Sequence, residues 1–475
     1  MPHTQPGFTA RLKSAVHDPT APLIFLGNFE VENQWGEGEV GLPTFGFASS
    51  NLMVNRMDEF ALLLGGAQDF VLLKEEPDPG YLAWLAGLGL ELPTTLVAGQ
   101  GSPERNVTQD ALHDPRLIDT LAGLAGQGAA LFPHGVSRAE EDLAAASGLA
   151  LAAPGAEVCK AVNSKVYSRR LGDTLSLRQP PGHACDSAET WADAMAWARR
   201  RLACGARVAV KDAYGVSGKG IVVVGDQGRL DKLDRMVVAR LGRAGSLGAA
   251  RLGLVVEEWV PKAADLNYQF TVGREGFVRL DFIKEAVTEH GTHKGHRMPA
   301  QLTGRQTQEL TVAAERIGAT LRADGYFGVV GIDAMVDPAG GLYPVIEINA
   351  RNNMSTYQTR LQEAVIGAGQ SALARHYELH LTEPVSFGRV REVLGDLLMD
   401  RPGGMGFLVN NFATVNAARA VTAPGATAEG RLYGMVVGDD EAAVDRLDTQ
   451  IAARLAAGQL AAGRVTATRG SEGSS

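Results

Sequence analysis

Two apolar, β-branched runs, Val329–Val336 and Leu342–Asn349, flank the turn-forming segment Asp337-Pro338-Ala339-Gly340-Gly341, and this pattern predicts a hairpin. If the loop closes symmetrically, Asp333 lies opposite Glu347, and strand alternation puts Asn349 on the same face as Glu347. Two carboxylates and an amide oxygen then converge, with Arg351 two residues beyond Asn349. Like charges set directly opposite each other destabilise a sheet, so the arrangement needs a compensating cation. Hard oxygen donors beside phosphate groups suit Mg²⁺. The same carboxylates on the solvent face of an ordinary hairpin would be inert, so the reading depends on a second group of residues upstream.

That group is cationic and glycine-rich. The predicted strand 206–211 ends at Lys211, and Asp212 to Gly220 leads into a second strand, Ile221–Val224. Tested against the Walker pattern, the loop fails twice: Ala213 stands at the first glycine position, and Gly220 where Ser or Thr is required. A strand also follows where a Walker loop needs a helix. The loop therefore joins two antiparallel strands. Its residues Tyr214, Gly215, Ser217, Gly218 and Gly220 could lie flat over a triphosphate, with backbone N–H groups close to the oxygens and Lys211 neutralising charge. Lys165 follows Asn163, a good N-cap, at the head of a helix ending near Gly172, and is either ligand-facing or a surface lysine. The apolar strand 252–260 finishes in Glu257, Glu258, Trp259 and Val260. Such a segment can offer backbone groups to a purine edge, or be a solvated strand end. Asp265 just beyond could bind ribose hydroxyls.

From 282 to 305 the chain turns basic, with Lys284, His290, His293, Lys294, His296 and Arg297. The histidine spacing suggests zinc, but Gly291 and Gly295 break any helix that would align the rings, and no cysteine accompanies them. The stretch reads instead as a mobile cationic loop closing over phosphate or a substrate carboxylate, with Lys284, His293, Lys294 and Arg297 as its contacts.

Several further elements must position these residues. Residues 21–155 alternate short strands and helices, which predicts a parallel sheet with covering helices. Gly27–Glu30 closes one of its strands and is either a ligand-binding strand end or a plain turn. No Gly-x-Gly-x-x-Gly follows a strand there, so a dinucleotide fold is not supported. Residues 187–202 and 308–324 carry helical periodicity. Beyond 384 a small α/β segment follows, ending in a tail, TRGSEGSS, that is expected to be disordered.

With 475 residues the chain is long enough for two to four domains. A formal charge of −9 argues against a general nucleic-acid or membrane-surface binder. Cys159, Cys185 and Cys204 are far apart and read as reduced thiols. There is no apolar run of signal-peptide length at the start and none of the roughly 20 residues that span a bilayer. A soluble, cytoplasmic protein is the expectation.

In order and approximate spacing, Lys165, Lys211 with its glycine loop, Glu257-Glu258 followed by Asp265, and Asp333 with Glu347, Asn349 and Arg351 resemble the ATP-grasp superfamily over roughly residues 160–362. No single piece is specific, but the ordered set is. The resemblance implies an α/β (α+β) ATP-grasp fold: a pre-ATP-grasp parallel-sheet domain over 1–155, an ATP-grasp domain over 156–383 divided near 260, and a small α/β domain over 384–475. It also implies that Lys165 and Lys211 contact phosphates, 257–260 hold adenine and Asp265 takes the ribose. Asp333, Glu347 and Asn349 would hold one or two Mg²⁺, with Mn²⁺ as a substitute, and Arg351 would stabilise the transferring phosphoryl group. The GNFEVENQWG stretch and the C-terminal segment look more like the pheganomycin-type peptide ligases than like D-alanine–D-alanine ligases. The implied activity is ATP-dependent amide formation between a small-molecule or peptide carboxylate and an amine, through an acyl phosphate. Two alternatives stay open: acyl transfer to a carrier-protein thiol, and a non-catalytic ATP-binding module. A homodimer is also left open.

Overall fold

The structure is a computed structural model. It describes residues 6–42, 48–215, 220–245, 251–289, 292–423, 425–458 and 460. The chain divides into two compact units, one formed by Met1–Glu76 and Leu92–Glu363, the other by Pro77–Glu91 and Ala364–Ser475.

In the first unit, the strands Leu23–Leu26, Phe70–Leu73, Thr94–Val97, Ala130–Pro133 and Ala150–Leu151 form the expected parallel sheet. Leu23–Leu26 is central, with Phe70–Leu73 on one side and Ala130–Pro133 on the other. Its four residues are all buried, as a parallel strand covered on both faces requires. Helices Val107–Leu112, Pro115–Ala125 and Arg138–Ser147 supply Val107, Leu121 and Leu143 to a core shared with Ile24, Leu72 and Leu131. Because strand order reverses at Leu23–Leu26, the segments following it and following Pro133 open at a switch point.

A second, antiparallel sheet runs in the order Gly182–Cys185, Leu254–Glu258, Val208–Asp212, Ile221–Val224. The glycine loop therefore joins antiparallel strands, as the failed Walker pattern required. Helix Ala188–Ala203 buries Trp191 and Met195 against this sheet.

The third sheet contains the hairpin. Leu342–Asn349, Gly328–Val336, Ala264–Val272, Val278–Glu289 and Thr292–Met298 pair antiparallel in that order. In Ala264–Val272, Leu266, Tyr268, Phe270 and Val272 enter a core with Leu310, Ile317 and Leu321 of helix Gly304–Ala323. Alternation sends Asp265, Asn267, Gln269 and Thr271 to the other face.

Two expectations need correction. The basic stretch expected as a mobile loop forms the strands Val278–Glu289 and Thr292–Met298. Ala264–Val272 takes up the hydrogen bonds of the first, so its charges ride on an ordered ladder. Asn163 is not the N-cap of the Lys165 helix. It ends the preceding helix, Ala156–Val162, and Ser164 accepts from Val166 N instead. Two abutting helices leave one residue for each terminus.

The second unit holds the strands Ser371–Leu381, Ala428–Gly438 and Gly406–Asn411, antiparallel in that order. Helix Glu441–Ala457 accompanies them, and Phe387 lies 5.3 Å from the rings of both Tyr81 and Trp84. Among the described residues no helix is long and apolar enough to cross a membrane.

One buried acid bears on stability. Glu30 Oε1 is buried without a hydrogen-bond partner. Burial first, then the charges of Glu140 and Asp58, raise its pKa from 4.5 to about 8. The unfolded chain therefore sheds this proton well before the folded one, so stability falls as pH rises from 4.5 to 8. Glu30→Gln should raise Tm more at pH 8 than at pH 5, by scanning calorimetry; an equal gain at both would contradict the assignment.

Candidate active site

The hairpin brings its acids together, but not by symmetric closure: Val336 pairs with Leu342 and Met335 with Tyr343, and a register shift between Met335 and Asp333 then sets the acids opposite each other. Asp333 pairs with Glu347, Ile332 with Ile348 and Gly331 with Asn349. Burial, and then the Glu347 charge, lift the Asp333 pKa to about 6. Asn267 Nδ2, from the next strand, donates to Asp333 Oδ1 at 3.0 Å. Ile348 N donates to Ser168 Oγ at 3.0 Å, which ties the ligand strand to helix Lys165–Thr174.

Lys165 is the first residue of that helix and is buried. Its Nζ donates to Glu347 Oε1 and to Gly215 O, both at 2.7 Å, and its backbone N–H donates to Ala213 O at 2.9 Å. The lysine thus joins the start of the glycine loop to the hairpin. Lys211 ion-pairs with Glu257 of the adjoining strand, and both side chains are buried. Lys165, Arg169, Gln179, Lys211, Glu257 and Ile346 line one narrow cleft. Three cations, Lys165, Arg169 and Lys211, and the Glu257 carboxylate therefore stand within one concavity.

Other expected residues do not line this cleft. Glu258, on the opposite strand face from Glu257, is held by Arg201 at 2.5 Å. Trp259 is exposed, and Asp265 ion-pairs with Lys262. The hydroxyl of Tyr214 donates to Lys160 O at 3.2 Å, with the Lys160 ammonium over its ring. Gly220 has φ of +81°, and a Cβ there would collide with Asp212, so glycine is required. Ser217 and Gly218 lie outside the described residues, as do the side chains of His293 and Lys294. Lys284 is fully buried, and Arg297 is opposite Glu285 in the strand ladder.

Arg351 is held on three sides. Its guanidinium ion-pairs with Glu32, donates to Asn349 Oδ1 at 3.0 Å and reaches Asn352 O at 3.0 Å. Glu32 was not singled out in the sequence, and neither was Asn267. The polar residues at every second position of 265–271 would have flagged Asn267, whereas nothing local marks Glu32. His134 Nδ1 lies 2.8 Å from the Tyr357 hydroxyl, and burial, then the Arg351 charge, hold that imidazole well below its ordinary pKa.

Among the described residues no group of three or more His, Cys, Asp or Glu side chains could by itself hold a metal ion. The donors present fit Mg²⁺ in another way: Asp333, Glu347 and Asn349 are hard oxygen ligands, and a small cation bound by one or two carboxylates is usually completed by water and phosphate oxygens.

The Glu32–Arg351 pair is largely shielded, with the two side chains only 11% and 12% exposed. Glu32→Ala leaves a buried guanidinium without its carboxylate, and should cost about 3 kcal/mol of unfolding free energy in urea titration. A loss below about 1 kcal/mol would mean that the Asn349 and Asn352 contacts hold Arg351 without Glu32.

Comparison with known proteins bears on the family and the fold. The Pre ATP-grasp domain family matches residues 57–149, and the family described as Carbamoyl-phosphate synthase L chain, ATP binding domain, matches residues 165–367. The butirosin acyl-carrier protein–L-glutamate ligase of Niallia circulans is 24% identical over 327 residues, covering 69% of this chain and 71% of that protein. Among solved structures, an ADP complex of N5-carboxyaminoimidazole ribonucleotide synthetase superposes with a TM-score of 0.52 at 12% identity, over 91% of this chain and 97% of that one. The biotin carboxylase domain of Hydrogenobacter thermophilus 2-oxoglutarate carboxylase, with MgADP, gives 0.50 at 15% identity, over 85% and 86%. The two family matches lie in chain order, the lysines, glycine loop and acidic hairpin fall inside the second, and the chain has the ATP-grasp fold.

Proposed function

We propose that this protein is an ATP-dependent ligase that joins a carboxylate to an amine through an acyl phosphate and releases ADP and phosphate. The observation that carries the reading is the Lys165 bridge: a cation from the helix beside one sheet rests on the Glu347 carboxylate of another, next to Asp333. A polyphosphate entering there meets lysines on one side and metal-ligating oxygens on the other.

In this reading, Lys165 and Lys211 exchange their carboxylate partners for phosphate oxygens, and the 257–260 segment holds the adenine. Backbone N–H groups of the glycine loop cover the triphosphate. Asp333, Glu347 and Asn349 hold one or two Mg²⁺, which when bound neutralises charge on the terminal phosphates; Mn²⁺ suits the same donors. The substrate carboxylate attacks the γ-phosphorus and ADP leaves. Arg351, preset by Glu32 and Asn349, stabilises the transferring group. An amine then attacks the acyl carbon, and phosphate departs with one carboxylate oxygen. The protein needs no nucleophile of its own. The functional division we assign is 1–155, 156–383 and 384–475, in a cytoplasmic enzyme of small-molecule or peptide substrates.

A second reading gains support from the butirosin relative, whose own name couples an acyl-carrier protein to L-glutamate. Here the acyl phosphate passes to a carrier-protein thiol. Product mass after ADP release over a panel of acids, amines and carrier protein separates the two, since a thioester is cleaved by hydroxylamine and an amide is not.

Two outcomes test the chemistry. Glu347→Gln keeps the shape of the side chain but removes a charged ligand and the Lys165 counterion, and should slow ATP-dependent phosphate release at least tenfold; unchanged turnover at saturating Mg²⁺ would remove Glu347 from the site. With ¹⁸O in the acid substrate, label should appear in inorganic phosphate while the amide forms. AMP as nucleotide product, or unlabelled phosphate during confirmed ligation, would rule out the acyl phosphate.

A further inference from the structure

The row of cross-strand neighbours that starts at Glu347 continues past Asp333. Asp333 pairs with Asn267, and Asn267 pairs with Lys284, so all four side chains share one face of the sheet. Two buried polar atoms along it have no hydrogen-bond partner, Asn267 Oδ1 and Asn353 Nδ2. Asn267 is 5% exposed, and the bond from its Nδ2 to Asp333 Oδ1 fixes the amide so that the free oxygen is an acceptor. Asn353 is fixed as well, because its Oδ1 accepts from the N–H groups of Ser355 and Thr356 at 2.9 and 3.1 Å, leaving Nδ2 as a free donor. Both amides border Gly331. A Cβ there would overlap Asn353 Nδ2 and lie 3.9 Å from Asn267 Nδ2, so the absence of a side chain lets the Asn353 amide approach the strand beside Asn267.

Lys284 ends the row and is 1% exposed. Its Nζ donates to Gln358 Oε1 at 3.2 Å and Ser355 O at 3.4 Å and stands 4.3 Å from the Phe282 ring centroid. None of these is a carboxylate, and burial holds the amine well below its ordinary pKa. A lysine that only propped the helix starting at Met354 would account for its own two bonds, but not for an orphan acceptor and an orphan donor beside it. One ligand chemistry satisfies all three: an ammonium for Asn267 Oδ1 and an anion for Lys284 and Asn353 Nδ2.

We infer that this face selects an amino dicarboxylic acid. One carboxylate is directed to the Asp333–Glu347 end, the ammonium is accepted by Asn267, and the second carboxylate is bound by Lys284 with Asn353. The inference rests on the carboxylate-activating reading above and names its acid. Lys284 takes up a proton as the anion arrives, so that a charged pair replaces an isolated buried amine.

Calorimetric binding to the full chain with Mg²⁺ and a non-hydrolysable ATP analogue tests it, using L-glutamate, glutarate and L-glutamine as probes. Glutarate lacks the ammonium and L-glutamine the second carboxylate. Each should bind at least tenfold more weakly than L-glutamate. Lys284→Met should cut the preference for glutamate over glutamine at least tenfold, and Asn267→Ala the preference for glutamate over glutarate. Equal binding of the three probes by the unmodified protein overturns the inference, whether or not the variants fold. So does a folded Lys284→Met that keeps its preference. ADP formation from monocarboxylic acids with no glutamate binding would refute this inference and spare the ligase reading; selective glutamate binding with no ADP from any acid would do the reverse.

Discussion

Lys165 Nζ lies 2.7 Å from Glu347 Oε1 and from Gly215 O, while its own backbone N–H is taken by Ala213 O at 2.9 Å. Both ends of one residue therefore fix the start of the glycine loop, and its charge fixes the loop to the acidic hairpin. Taking an ammonium and a carboxylate out of water costs several kcal/mol per ion, which their mutual attraction offsets only in good geometry. That requirement constrains everything around it. The helix must start at Lys165 and not a residue earlier, which Ser164 secures as N-cap, and the ligand strand must keep its height, which Ser168 secures through Ile348 N. Lys211 with Glu257 and Arg351 with Glu32 obey the same rule of pairing.

The sheet that carries the acids is also half of the core. Leu266, Tyr268, Phe270 and Val272 of one strand are buried against helix Gly304–Ala323, while Asn267 on the same strand bonds Asp333 on the opposite face. A slip of one residue would exchange the two sets. Core packing thus fixes Asn267 against Asp333, and that face of the sheet inherits its precision from apolar contacts on the other.

What could be read from the chain follows the range of the interactions. The hairpin was legible because five turn residues separate two strands, but its register was not: closure through Val336–Leu342 and Met335–Tyr343 would set Asp333 opposite Val345, and a shift between Met335 and Asp333 moves it onto Glu347. The antiparallel pair around the glycine loop was legible for the same local reason. Glu32 was not, because its partner Arg351 is 319 residues away and no window of sequence contains both. The basic 282–305 stretch reads as a loop because its charges and glycines mask the alternation, and the neighbouring Ala264–Val272 strand is what makes Val278–Glu289 a ladder. Lys284 illustrates the limit most clearly: its basic neighbours read as a mobile loop closing over an anion, and its burial depends on a helix that starts 70 residues later.

The groups that cost the fold most cluster beside these pairs. Asp333 is lifted to about 6 and Glu30 to about 8, Lys284 and His134 are held down, and Asn267 Oδ1 and Asn353 Nδ2 are buried without partners. An unsatisfied buried polar group costs about 1–3 kcal/mol, against a net stability of roughly 5–15 kcal/mol for a typical domain. Such a concentration persists only where surrounding packing over-determines it, here the Tyr268, Phe270, Val330 and Ile332 side chains against Leu310 and Ile317. The two features explain each other. A rigid apolar layer on one face of the sheet lets the other face hold charges and amides in positions they would not adopt for their own stability, and those positions define the chemistry that can enter.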